Sequence, residues 1–139
     1  MLEYLELRDL LESQNKEVPP ELLNNIAVLY HLEAEAIQSF FEGRTSYNFR
    51  LTAENTTEEN LTSAFSNAEL LYQQALTKLA EESSLEGSLR IQALKTSIRY
   101  NVARLFEERG DIDKAEANYK DLLKSHPAFV ECTSIFLFL

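Results

Sequence analysis

Residues that break regular structure are nearly absent from this chain. Three glycines and three prolines in 139 residues are too few for the closely spaced turns of an all-β fold. Tryptophan is missing, and Cys132 is the single cysteine, so no internal disulfide framework can hold the chain together. A lone cysteine also fits a reducing compartment. No apolar run approaches the roughly 18 residues that a membrane-spanning helix needs. Basic residues are in the minority: 13 Lys and Arg stand against 23 Asp and Glu, for a formal net charge of −10. That balance disfavours unspecific binding to nucleic acid or anionic membrane. His31 and His126 are the only histidines, and no His/Cys cluster has the spacing of a metal site. The start, Met1 to Glu6, is acidic and patterned, unlike a signal or transit peptide.

The residues that are present favour helices. Hydrophobic residues make up 45% of the chain, with many Ala, Leu, Glu and Lys, which predicts one all-α domain of ordinary size. The most ordered stretch is Arg99 to Pro127. It reads Arg99-x-x-Val102-Ala103-x-x-Phe106, a Gly110-Asp111 turn, Ala115-x-x-x-Tyr119-x-x-Leu122, and then Pro127. Small Ala103 and Ala115 let two antiparallel helices cross closely. Phe106 and Tyr119 fill the space beside that crossing. Gly110 suits a left-handed position just past the first helix, and Pro127 prevents the second from continuing. This order of small, aromatic and turn residues resembles a tetratricopeptide (TPR) repeat, with Arg99 where Trp is usual and Leu122 where Ala is usual.

A second, interrupted copy lies 76 residues upstream, as Leu23-x-x-Ile26-Ala27-x-x-Tyr30 after Pro19 and Pro20. Proline costs little at a helix start. Its matching second helix comes late, as Ala68-x-x-x-Tyr72-x-x-Ala75. An insertion is therefore expected at about 34–60, with Arg44 to Asn60, rich in Thr, Asn and Ser, as a loop. As an alternative, Ala36, Phe40 and Gly43 mimic a second-helix pattern in a short helix over Ala34–Gly43. Asn60 or Thr62 is expected to cap the helix carrying Ala68 and Tyr72.

The ends resemble parts of further repeats. Tyr4-x-x-Leu7-Arg8-x-x-Leu11 is patterned like a first helix, and Thr133 starts another that runs to Leu139. The expected fold is thus all-α, with TPR-type helical hairpins forming an α-solenoid fragment of roughly two repeats plus partial flanking helices. Its divisions are 1–17, a partial helix of a preceding repeat; 18–82, the interrupted repeat; 83–95, an inter-repeat linker and helix extension; 96–129, the regular repeat; and 130–139, the start of a truncated further repeat. The apolar run Ile135 to Leu139 has nothing of its own to pack on, and self-association through it is expected.

Longer segments narrow the resemblance. Val18 to Leu29, Ile98 to Glu108 and Lys114 to Cys132 are similar to the TPR scaffold subunits of the RNA polymerase II-associated factor (Paf) transcription elongation complex. The similarity covers roughly Val18 to Cys132. It implies a nuclear scaffold whose protein partners are other elongation-complex subunits and the polymerase II machinery, supporting elongation and histone modification. Direct nucleic acid, membrane, cofactor and metal partners are not expected.

TPR arrays present the first helix of each repeat along a concave groove. By that resemblance the protein-binding face comprises Asn25, Val28 and His31 in one copy and Asn101 and Arg104 in the other. Asn25 and Asn101 occupy equivalent sites, where many TPR proteins use Asn to hold a ligand backbone or carboxylate. The same residues could instead only solvate an exposed face or bond a neighbouring helix. The alternative function is a generic TPR adaptor capturing a short peptide. A carboxylate clamp of the chaperone-binding kind is disfavoured, because Val28 stands at the site equivalent to Arg104 and Glu107-Glu108 follow.

Other signals have plainer readings. Arg109-Gly110-Asp111 spells an integrin-recognition tripeptide, but a helix–helix turn itself calls for Gly-Asp. Asn55-Thr56-Thr57 and Asn60-Leu61-Thr62 match glycosylation acceptors, yet read as polar loop and helix cap. At His126-Pro127 an imidazolium would meet the negative end of a helix dipole. Glu33, Glu35 and Glu42, or Glu81 and Glu82, could supply paired carboxylates, but acidic helix faces are usually solvated. With no nucleophile–base pairing, phosphate loop or cofactor motif, no enzyme is expected.

Overall fold

The computed structural model describes residues 1–43, 56–82 and 89–125. The described residues form five α-helices and no strand: α1 (Leu2–Ser13), α2 (Pro20–Phe41), α3 (Glu58–Glu81), α4 (Leu89–Arg109) and α5 (Ile112–Ser125). The chain is all-α, as its composition predicts. It divides into two compact units, Met1–Lys78 and Leu79–Leu139. None of the helices is long and apolar enough to cross a membrane.

In the first unit, α1 ends where Asn15 takes φ 56°. Asn tolerates this left-handed conformation better than most residues. The amide of Lys16 then reaches back to the Leu11 carbonyl at 2.9 Å, and that of Asn15 to Glu12 at 3.1 Å, which closes the helix end in a Schellman motif. Pro19 caps α2 and Pro20 opens it. The missing proline N–H would have had no partner in the first turn anyway. The Pro19 carbonyl accepts from the amides of Leu22 and Leu23.

The helix α2 is longer than the repeat pattern predicts. Ala34 to Phe41, part of the expected insertion, simply prolong it. Glu33-Ala34-Glu35-Ala36 are strong helix formers, and the first breaker is Gly43, at φ 75°. The alternative of a separate short helix over Ala34–Gly43 is therefore not what forms. Leu23, Ile26, Ala27, Ala34 and Ile37 are all buried on one face of α2, spaced three, one, seven and three residues apart as a helical stripe requires.

The cap of α3 also differs from expectation. It is neither Asn60 nor Thr62: the Thr57 hydroxyl oxygen accepts from the Asn60 backbone N–H at 3.0 Å. Glu58 and Glu59 then sit in the first turn, where the dipole favours negative charge. The buried stripe of α3 is Ala64, Phe65, Ala68, Leu71, Tyr72, Ala75 and Leu79. Lys78 near its end pairs with Glu17 at 3.0 Å, an exposed pair of small energetic weight.

The second unit is centred on the hairpin of α4 and α5. Ala103 and Ala115 are both 0% exposed, so the small residues sit where close packing needs them. Ile98, Val102, Leu105 and Phe106 from α4 join Tyr119 and Leu122 from α5 in the core. Gly110 takes φ 91°, and the Asp111 amide donates to the Phe106 carbonyl at 2.8 Å, a second Schellman closure. Two cations approach the Phe106 ring, the Arg109 guanidinium at 5.3 Å and the Lys114 ammonium at 5.6 Å from its centre. Leu89 to Lys95, expected as linker and extension, are the first turns of α4. Ser83 to Ser88, His126, Pro127, Cys132 and the tail Ile135 to Leu139 lie outside the described residues, as does the greater part of the expected loop, Arg44 to Asn55.

Candidate functional site

The five residues expected on a binding face fall into two groups. On α2, Asn25 is exposed and Val28, three residues on, is half-buried. His31 is placed differently from expectation: it is only 4% exposed. Its ring meets Tyr72 of α3 edge-on at 6.0 Å, and its Nδ1 shares a 3.0 Å hydrogen bond with the Tyr72 hydroxyl. Glu35, one turn along, lies 3.5 Å from Nε2. The imidazole thus bonds a neighbouring helix and is not open to a ligand. A buried Tyr hydroxyl and a buried imidazole each need a polar partner, and here each supplies the other's.

On α4, Asn101 and Arg104 are both half-buried. Their separation of three residues puts them on one side of the helix. The Arg104 Nη2 donates to Glu108 Oε1 at 3.0 Å. That guanidinium is therefore already matched by a carboxylate from its own helix, a spacing of four residues legible in sequence. Capture of a ligand carboxylate by Arg104 would have to displace Glu108.

Glu107 makes a contact that sequence reasoning missed. Its Oε2 accepts from the Tyr119 hydroxyl at 2.7 Å, and the Tyr100 and Tyr119 rings lie 6.2 Å apart. Burial pushes the Tyr119 pKa above its ordinary value, and the hydrogen bond to Glu107 pushes it further. A proton held this way does not make a nucleophile of the oxygen, since the phenol would have to ionise beside a carboxylate. The contact fixes α5 against α4.

What the α4 face offers chemically is an amide at Asn101 and a guanidinium–carboxylate pair at Arg104 and Glu108. Such groups recognise polar backbone or side-chain atoms of a partner. No family model matches the chain, and no solved structure matches it.

Proposed function

We propose that this chain is a non-catalytic protein–protein interaction scaffold built from TPR-type hairpins. The observation that carries the reading is the α4–α5 hairpin. There the zero exposure of Ala103 and Ala115 and the left-handed Gly110 fit the roles that the repeat pattern assigns to them. The sequence similarity to the TPR subunits of the Paf elongation complex supports the narrower reading: a nuclear scaffold holding elongation-complex subunits near RNA polymerase II. Asn25, Val28, Asn101 and Arg104 would be the residues facing those partners, and the acidic composition suits protein rather than nucleic acid partners.

The test is affinity purification of the tagged chain from nuclear extract, alongside an Asn101→Ala/Arg104→Ala variant. Enrichment of polymerase-associated subunits with the unaltered chain, and its loss with the variant, is the expected result. Equal recovery with both chains would remove the assigned face, and absence of such subunits from both would remove the narrower reading. The peptide-capturing adaptor is less favoured, because Arg104 is already engaged by Glu108. Tight binding of an isolated acidic-tailed peptide would reverse that preference.

A further inference from the structure

The helix α1 packs on α2 but has little to hold it there. None of its 12 residues is fully buried. The half-buried positions are the capping Met1 and then Leu5, Arg8 and Leu11, at steps of four, three and three residues, as one side of a helix requires. Arg8 stands within that otherwise apolar row. Its Nε is buried and makes no hydrogen bond among the described residues; Asp9 Oδ1, 3.5 Å away, does not form one. On α2, Asn24 Oδ1 is also buried and without a hydrogen bond among the described residues. A buried donor or acceptor in this condition costs free energy that water relieves, so opening the contact returns part of that cost at Arg8.

The helix has little stability of its own to add. Isolated helices shorter than roughly 12–15 residues are marginal in water. No side chain caps the start of α1, and its last turn holds no basic residue. Glu12 instead meets the negative end of the dipole there. Gln14, Asn15, Lys16 and Glu17, which follow, are all exposed. Beyond them the chain is fixed again, by Val18 and Pro20, both buried. By contrast, Ile26, Ala27 and Ile37 of α2 and Ala68, Tyr72 and Ala75 of α3 are all 0% exposed.

We propose that α1 is a strap that lifts off α2 as one unit, hinged at Gln14 to Glu17, while α2 and α3 stay folded. Release carries Arg8 Nε into water and bares the part of α2 on which α1 rests. The closed state predominates, and the open one is a local opening far below the free energy of global unfolding.

Native-state hydrogen exchange on the full chain, followed by NMR as urea is raised below the unfolding transition, tests this. The amides of Leu5 to Lys16 should exchange through one shared opening, protected at least about a hundredfold less than those of Ile26 to Ile37. Their exchange should depend weakly on urea, because little surface is exposed in the opening. Arg8→Met keeps an unbranched stem and a near-equal helix propensity while removing the donor. It should raise protection throughout α1 about tenfold and leave α2 unchanged. Protection in α1 equal to that in α2 overturns the proposal. So does an Arg8→Met chain whose α1 is protected no better than in the unaltered chain. Protection that climbs steadily from Leu5 to Lys16 would reveal fraying from one end, and overturns release as a unit.

Discussion

The Tyr119 hydroxyl of α5 donates to the Glu107 carboxylate of α4 at 2.7 Å, while the tyrosine itself is 0% exposed. One aromatic residue thus fills the hairpin core and also ties the two helices together by a charge-assisted hydrogen bond. Such a bond is about twice as strong as a neutral one. Tyr119→Phe keeps the ring and removes only the donor, so its cost isolates the bond. We expect a loss of about 1–2 kcal/mol in urea unfolding at pH 7.

The pH dependence of that loss has a definite sign. Burial and Glu107 raise the Tyr119 pKa in the folded state, whereas in the unfolded chain it ionises near its ordinary value of about 10. A raised folded pKa gives stability that is complete below the unfolded value and declines as pH climbs past it. The advantage of the unaltered chain over Tyr119→Phe should therefore hold steady from pH 7 to about 9 and shrink above about 10. An advantage that grows with alkalinity would contradict the assigned proton position.

Gly110 offers a separate test of the turn. At φ 91° an added Cβ meets nothing within 4 Å, so the cost of Gly110→Ala comes from backbone conformation alone. We expect about 1–2 kcal/mol of destabilisation, and a smaller loss for Gly110→Asn, since Asn visits this region more readily. Equal losses from both replacements, measured by urea unfolding, would mean that something other than the dihedral is at work.

The hairpin was legible because its requirements are local. A small residue, an aromatic and a glycine at fixed spacing specify a helix, a turn and a returning helix. Elsewhere the rules competed. Thr56, Thr57, Asn60 and Thr62 are all capable caps, and only the 3.0 Å bond from Asn60 N–H to Thr57 selects one. The repeat spacing ends the first-helix pattern near residue 34, but no breaker stands between Pro20 and Gly43, so α2 runs on to Phe41. The His31–Tyr72 bond joins residues 41 apart. Nothing in the local pattern of either residue announces it. The repeat pattern therefore places His31 on an open face, whereas its side chain belongs to the interior.

The crossing alanines predict a contrast within one helix. Ala103 is 0% exposed, and Ala93, three turns earlier on α4, is exposed. Leucine is nearly as good a helix former as alanine, so the propensity term is small at both sites. Ala103→Leu must push α5 away or force strained rotamers and should cost about 1–3 kcal/mol. Ala93→Leu should stay within about 0.5 kcal/mol of the unaltered chain. Comparable changes in thermal unfolding at the two positions would count against close helix crossing at Ala103.

Glu33 gives the opposite sign from the usual acidic residue. Partial burial raises its pKa above the ordinary carboxylate value, so near neutral pH it is charged at some desolvation cost. A raised folded pKa again means that the favourable contribution exists at low pH and is lost as pH rises through the folded value. Glu33→Gln removes the charge while preserving shape and helix propensity. It should therefore raise the melting temperature at pH 7 by about 1–2 °C, as a fraction of a kcal/mol does in a domain of this size. The gain should fade near pH 4, where the unaltered carboxyl is largely protonated. Exposed Glu6, in the interior of α1, changed the same way, serves as the control and should shift the melting temperature at neither pH. A lower melting temperature for Glu33→Gln at pH 7 would show that the carboxylate is held by a favourable partner whose contribution exceeds the burial cost.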